Sequence, residues 1–452
     1  MSSTTKEWTL QAGEELRVEV DFGQSVELRL VSGHAEYFGA ELGREAVYTL
    51  SGENGAVFSW EGCTLAVTGE CASAYVAGET PMASFINLHV AAQQRRAAAH
   101  RAAEAGGAAA GPRILIVGPE DSGKTSLARL LLNYAVRQGE TPVFVNLDPA
   151  DGKVTVPGTL AAMAMTKPVD IECGFMGYAV PSSSGLPDAP LVWQFGHEDP
   201  AANPQLFNLL VDGAAAAIGR RMAADPWAAA SGVIVDTRGT SDLAQDKVVM
   251  HAVDALGIDI VVVVGNERMF SVLEKRMEAR SAGAGVSVVK MPRSGGVVDR
   301  TALYKQQLNA KAVKQYFYGT PREQVASFSA VVNFDDIRIL RIGEDVVAPS
   351  STLPLGEERK ITDTLVSAVE PDESLVHSLL AVTDGPRRTD GDSMAVDTAD
   401  PDGVIGIQAL GFVSVSKVEM DRRRLIIVSP VPGRLQKQVL LYGNTKWVET
   451  AT

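Results

Sequence analysis

The chain has 452 residues, 46% hydrophobic and 21% charged, so most of it should fold into packed cores shared among two or three domains. With 41 Lys and Arg against 55 Asp and Glu its formal charge is −14, which excludes a general polyanion binder, because contact with a nucleic-acid backbone needs basic residues to neutralise phosphates. The three cysteines, Cys63, Cys71 and Cys173, form no CxxC pair, which argues against a disulfide framework or a zinc site and leaves reduced thiols as the reading.

In chain order, MSSTTKEWTLQAGEE has no apolar signal core. Residues 1–90 then read as a small β domain: EWTLQAGEELRVEVDF, SVELRLVSG, HAEYFGAEL, EAVYTLSGENGAVFSW and CTLAVTG alternate apolar and polar positions between Gly, Asn and Ser turns. At 91–112 the composition shifts to an Ala/Arg segment fading into Gly and Ala, read as a solvated connecting helix whose arginines could also touch RNA. From 113 to 324 apolar strands (RILIVG, PVFVNLD, LVWQFG, GVIVDTRG, DIVVVVGN, VSVVKM) alternate with helical stretches, the pattern of an α/β domain on a parallel sheet with ligands at the strands' carboxyl ends. The run IDIVVVVG is a strand's length, far short of a membrane span, and the whole reads as a soluble intracellular protein. Residues 325–452 return to β-like runs and form a C-terminal, mainly β (α+β) domain, interrupted at 384–403 by a polar Gly/Pro/Asp-rich segment read as a flexible loop. Trp193 sits in an apolar run and reads as a core residue.

GPEDSGKTS at 118–126 fits GxxxxGK[ST] and has the context that motif requires, a strand before it and the helix SLARLLLNYAVRQ after it. Gly118 and Gly123 let the backbone N–H groups of Asp121, Ser122 and their neighbours turn inward around phosphates, with the helix N-terminus at Ser126 adding its positive dipole. Lys124 would reach the β and γ phosphates, and the Thr125 hydroxyl would ligate Mg²⁺. Two strand-end carboxylates, Asp148 and Asp236, are candidates for holding the metal or accepting a proton from an attacking hydroxyl, and Asp148 is preferred as the base. KMPRSGGVVDR at 290–300 places Lys290, Arg293 and Arg300 around a Gly-Gly pair, which fits a lid closing over transferring phosphates. The strand that could carry a guanine-reading element ends in GNER, so ATP is the expected nucleotide.

Taken together, GPEDSGKTS, FVNLDPADGKVTVPGT, PLVWQFGHEDP, VVKMPRSGGVV and KQYFYG, in this order between two β domains, resemble the eukaryotic polynucleotide 5′-hydroxyl kinase family. The similarity is strongest to its pre-mRNA cleavage and polyadenylation factor branch, and it extends to AEYFGAEL and FSWEGC near the start and to LPLG and VSPVPGRL near the end. The resemblance implies that Glu15 and Asn54 of the N-terminal domain help to hold the adenine of ATP bound with Mg²⁺. It further implies a nuclear role beside a larger cleavage-factor subunit and other 3′-end processing proteins. Active members carry DxGQ after the second strand, whereas this chain has Asp148-Pro149-Ala150-Asp151. They also carry a TxGW-like clasp whose ring stacks on the substrate base, whereas this chain has Thr237-Arg238-Gly239-Thr240. Stacking is worth about 1–3 kcal/mol per base, so RNA contact should be weak or indirect. Two functions follow: a scaffold that holds ATP as a structural ligand, or an active RNA 5′-kinase with Asp148 as base and Lys124, Arg293 and Arg300 stabilising charge.

Overall fold

The structure is a computed structural model that describes residues 4–175, 189–240, 246–280, 285–320, 324–343, 364–384, 403–433, 435 and 438–448. Of the segment 384–403, read above as a flexible loop, residues 385–402 lie outside the described residues.

The N-terminal region is a sandwich of two antiparallel sheets. One has the order Thr5–Leu10 (β1), Cys63–Thr68 (β8), Val26–Gly33 (β3), Val47–Leu50 (β6). The other runs Ala40–Glu41 (β5), Glu36–Tyr37 (β4), Glu53–Phe58 (β7), Glu15–Val20 (β2), Ser73–Ala77 (β9). Alternation sorts β2 into two faces. Leu16, Val18 and Val20 enter the sandwich core with Leu28, Leu65 and Val67, while Glu15, Arg17 and Glu19 point the other way. Glu15 and Arg17 are nevertheless buried, because that outer face packs on the rest of the molecule. Cys63 belongs to the sandwich core, and none of the three cysteines is in a disulfide.

The helix expected from residue 91 starts earlier, as α1 (Met82–Glu104), and it is not a solvated connector. Phe85, Leu88 and Ala92 sit in the main hydrophobic core, each large apolar side chain contributing about 1.5–3 kcal/mol by leaving water. Its arginines are engaged with protein: Arg95 pairs with Asp259 at 3.2 Å, and Arg101 donates to its own helix at Ala97. Arg96 is 1% exposed, and burial lowers its pKa to about 10 against the opposing pull of Glu140.

The central sheet has seven strands in the order Leu191–Gln194 (β13), Thr159–Ala164 (β12), Val143–Leu147 (β11), Val233–Thr237 (β14), Arg113–Val117 (β10), Ile260–Val264 (β15), Ser287–Met291 (β16). The run from β11 to β16 is parallel, as expected. β12 and β13 are antiparallel additions at one edge. The sequence reading missed β12 because its run TLAAMA is mostly alanine and carries little β-branched signal. Side chains of β10 alternate between two cores. Ile114 and Ile116 face α1, α2 (Lys124–Arg137) and α7 (Ala302–Tyr318), whereas Leu115 and Val117 face α3 (Pro204–Ala224), α5 (Asp246–Ala255) and α6 (Glu267–Arg280). A short helix α4 (Pro226–Ser231) leads into β14 and packs on α1. Trp193 is 1% exposed in the second core and donates its indole N–H to the Gly406 carbonyl, as its apolar setting suggests.

The C-terminal sheet also has seven strands: Phe328–Asn333 (β17), Arg424–Ser429 (β22), Gly411–Glu419 (β21), Ser378–Thr383 (β20), Gln438–Lys446 (β23), Ile337–Ile342 (β18), Val366–Ala368 (β19). One face forms a core of its own, while Leu340, Leu379, Ala381, Phe412 and Leu441 join the central domain's core. Among the described residues no helix is long and apolar enough to cross a membrane.

Candidate functional site: a nucleotide-phosphate loop and the groups around it

Between β10 and α2 the chain turns through Gly118 (φ 156°) and Gly123 (φ 90°), conformations that suit glycine. At Gly118 a Cβ would lie 2.6 Å from the Val264 carbonyl oxygen. Ser122 Oγ and Lys124 Nζ both donate to the Pro119 carbonyl, at 2.9 and 2.6 Å, so the loop is tied internally. Lys124 is 7% exposed; burial lowers its pKa, and Asp236 opposes the shift. Ser126 lies in the first turn of α2.

At the end of β14, Asp236 is fully buried and accepts the Thr125 hydroxyl through Oδ2 at 2.5 Å. Its Oδ1 is buried without a hydrogen-bond partner, and a hard divalent cation shared with nucleotide phosphates is the partner that a carboxylate oxygen beside a hydroxyl suits. No cluster of three His, Cys, Asp or Glu among the described residues could hold a metal by itself. Thr125 and Asp236 therefore fit Mg²⁺ together with phosphate oxygens, whereas Asp148 makes no bond to either in the structure. Asp148 follows β11, accepts the Ala150 N–H at 3.1 Å, and has its pKa raised to about 6. Burial is the main cause; Lys153 opposes it, and Asp151 and Asp236 reinforce it.

Lys153 was not singled out in the sequence, yet it lies at the centre of this cluster. Its ammonium donates to Thr125 Oγ1 at 2.6 Å, pairs with Asp151 at 2.7 Å, and lies 3.9 Å from Asp236 Oδ2. Arg300 joins from above. Its Nε pairs with Asp121 at 2.6 Å, its backbone N–H donates to Asp121 Oδ2, and its guanidinium lies 3.7 Å from Asp151. Asp121 thus serves as an anchor for this loop as well as a member of the phosphate loop.

Arg293 is not brought to the phosphate loop. Its guanidinium turns to Asp299 at 2.6 Å, and its Cβ packs 3.0 Å from the Cβ position of Gly265. Lys290 belongs to β16 and pairs with Glu267. The sequence offered no means of telling which of the three cations turns inward, since that depends on the backbone path after β16.

The loop carrying Gly295 and Gly296 is wedged between the phosphate loop and the N-terminal sandwich. Val297 lies 3.2 Å from where a Cβ on Gly123 would be, and Arg17 Nε lies 2.6 Å from where one on Gly296 would be. Arg17 is fixed by Glu15 at 2.5 Å, by the Glu79 carbonyl at 3.1 Å and by the Tyr75 ring. Glu15 thus has an arginine partner; burial raises its pKa, and Arg17 opposes the rise. Asn54 pairs in register with Glu19, on the same outer face as Glu15 but four residues further along the sheet, roughly 13 Å away. α7 completes the enclosure. Tyr304 stacks edge-on against Phe22, Lys311 donates to the Ser51 carbonyl, and Lys305 pairs with Glu120.

Residues 237–240 run beneath the phosphate loop. Thr237 donates to the Ile116 carbonyl, and the Thr240 N–H donates to the Gly118 carbonyl. Gly239 lies so near Glu120 that a Cβ would be 2.4 Å from its Cα. Arg238 donates to the Glu198 carbonyl and lies 3.9 Å from Glu120 and from Asp199.

Comparison with known proteins agrees with this architecture along the chain. Residues 9–99 match the family profile described as the N-terminal beta-sandwich domain of polyadenylation factor. Residues 118–319 match the mRNA cleavage and polyadenylation factor CLP1 P-loop, and residues 326–449 match pre-mRNA cleavage complex II protein Clp1. The mRNA cleavage and polyadenylation factor clp1 of Botryotinia fuckeliana is 35% identical over 97% of this chain and 92% of its own length. The polyribonucleotide 5′-hydroxyl-kinase Clp1 of Danio rerio is 34% identical over 96% of this chain and 92% of its own length. A solved Clp1p in complex with a segment of Pcf11p superposes with a TM-score of 0.83, covering all of both chains at 24% identity, a likeness of fold. With three profiles in sequence order and relatives aligned over nearly its full length, the chain belongs to the Clp1 family of mRNA cleavage and polyadenylation factors.

Proposed function

We propose that the chain is an ATP-holding subunit of the nuclear pre-mRNA 3′-end processing machinery, bridging partner subunits without efficient phosphoryl transfer. ATP with Mg²⁺ would be a structural ligand clasped between the N-terminal sandwich and the P-loop domain. A ligand that binds only the assembled state stabilises it by mass action, without turnover. Lys124 and the loop N–H groups would hold the phosphates, Thr125 and Asp236 the metal, and the Glu15 and Asn54 face the base. Bound Mg²⁺ would supply charge neutralisation at the phosphates.

The observation that carries this reading is the use made of residues 237–240. Residue 240, where an acceptor clasp carries an aromatic, is a threonine, and the backbone here packs Gly239 on Glu120 and donates the Thr240 N–H to the Gly118 carbonyl, bracing the phosphate loop. The Botryotinia relative's description as a cleavage and polyadenylation factor, and the solved Clp1p–Pcf11p complex, support the choice of machinery and a cleavage-factor partner.

A second reading, an active RNA 5′-hydroxyl kinase, rests on Asp148. A buried carboxyl with a pKa of about 6 is well matched to accepting a proton from an attacking hydroxyl near neutral pH. The Danio relative is described as such a kinase. Incubating the pure protein with γ-labelled ATP and a 5′-hydroxyl RNA oligonucleotide separates the two. The expected result is bound nucleotide with no label on the RNA above the Lys124→Ala background. Label transfer that disappears in Lys124→Ala establishes the kinase.

A further inference from the structure

The loop after β11 delivers a cation to the place where the phosphate loop meets its strand-end carboxylate. Lys153 Nζ lies 2.6 Å from Thr125 Oγ1 and 2.7 Å from Asp151, and 3.9 Å from the Asp236 oxygen that also accepts the Thr125 hydroxyl. Of these, Thr125 and Asp236 are the groups that fit a divalent cation, so the ammonium and a metal ion compete for their oxygens. Its position is not that of a long side chain swinging at a surface. Gly152 is packed so that a Cβ would lie 2.8 Å from Pro157 and 3.2 Å from Ala312. The Gly158 N–H donates to the Pro149 carbonyl at 2.8 Å, and Asn309 on α7 donates to the Ala150 carbonyl at 2.9 Å. The backbone on both sides of Lys153 is therefore fixed, and its side chain is only 19% exposed. Three carboxylates, Asp148, Asp151 and Asp236, meet three cations there, Lys124, Lys153 and Arg300. The cluster is neutral as it stands, so an anionic triphosphate entering it would draw Lys153 and Arg300 from the carboxylates they now pair with, Asp151 and Asp121.

We propose that Lys153 is a tethered cation of the nucleotide site. It takes over part of the role of the divalent metal, so that this chain holds ATP with little dependence on Mg²⁺. This rests on the nucleotide-holding reading above, and Lys153 is offered as a positioning and charge-neutralising residue.

The test is calorimetric titration of the full-length protein with ATP, in excess Mg²⁺ and again in excess EDTA. It compares wild type, Lys153→Met, and the double variant Lys153→Met with Asp151→Asn, which also removes the carboxylate that Lys153 pairs with at 2.7 Å in case the single variant folds poorly. For the wild type, EDTA should weaken Kd by no more than about threefold. For either variant it should weaken Kd by roughly tenfold or more, the gap to wild type narrowing when Mg²⁺ is restored. A wild type that loses as large a factor in EDTA as the variants overturns the role of Lys153. So do variants whose EDTA sensitivity matches that of the wild type. Failure of the wild type to bind ATP even in Mg²⁺ overturns the nucleotide-holding reading itself, and the inference with it.

Discussion

Replacing Gly118 by alanine should cost the protein its nucleotide while leaving its fold in place. The new methyl group would lie 2.6 Å from the Val264 carbonyl oxygen and 3.0 Å from Ser122 Oγ. Val264 ends β15, which is locked beside β10 in parallel register from Ile114 to Val117, so the sheet cannot yield. The phosphate loop must move, and the backbone there is already at φ 156°. Holding an alanine in so unfavourable a conformation costs about 1–3 kcal/mol. Displacing the loop also weakens the Thr240 N–H bond to the Gly118 carbonyl, worth about 1 kcal/mol. Relief of this strain turns the phosphate-facing N–H groups out of line, so a total near 3 kcal/mol should be lost from binding, roughly a hundredfold in Kd. Titration with ATP and Mg²⁺ measures the loss, and melting with and without ATP shows whether it is local. The expected pattern is a modest fall in the melting temperature without nucleotide and loss of most of the upward shift that ATP gives the wild type. Binding within about threefold of wild type would refute the reasoning, since the strain would then be absorbed away from the phosphates.

Other substitutions probe different joints. His89 is 2% exposed beside the Tyr134 ring, and burial, aided by Arg96, lowers its pKa to about 4. The unfolded chain therefore binds the extra proton first, and stability falls as pH drops from about 6.5 to 4; His89→Leu should recover about 3 kcal/mol at the acid end, read from denaturant melts across that range. A wild type and variant with parallel pH profiles would refute this. Arg300→Lys keeps the charge and the backbone N–H bond to Asp121 Oδ2 but loses the Nε bond to Asp121 Oδ1, so proteolysis near 290–300 and the dissociation rate of ATP should both rise, the latter about tenfold. Unchanged rates would show that Arg300 does not latch this loop. Arg96→Met should lower the melting temperature by several degrees, about 2 kcal/mol, because the Ser231 carbonyl loses its buried donor; an unaltered melt would mean that water or Gln93 replaces it.

The phosphate loop was legible because its meaning is local: a strand, a turn that suits glycine, and a helix N-terminus lie within a dozen residues; that Asp236 rather than Asp148 meets Thr125 depends on the order of the strands in the sheet. Trp193 was legible for the same reason, as one member of an apolar run. What escaped depends on burial created elsewhere. Arg17 follows the alternation of an outward-facing position, and only the packing of that face against Gly296 gives it a task. Lys153 is not singled out by the sequence, because nothing in DPADGKVT shows that the loop folds back onto Thr125. The start of α1 was obscured because MASFINLHV carries the apolar residues of a strand, and the packing of Phe85 and Leu88 on the central core decides for helix. Arg293 and Arg300 are indistinguishable by spacing; Asp299 captures one and Asp121 the other.

The buried joint between α1 and the segment before β14 has a consequence during synthesis. Arg96 finds the Ser231 carbonyl 135 positions later, and Glu140 lies between them in sequence, gathering His100, Gln93 and Ser231. At ribosomal speeds of about 5–20 residues per second, the N-terminal sandwich and its trailing helix emerge on the order of ten seconds before the carbonyl that receives the arginine. For that interval Arg96 lacks the Ser231 carbonyl, and Glu140 lacks the Ser231 hydroxyl. The nascent chain thus has a built-in waiting period that ends only when residue 231 leaves the exit tunnel, and synonymous or ribosome-stalling changes between codons 104 and 231 should affect the yield of this protein more than those after 320.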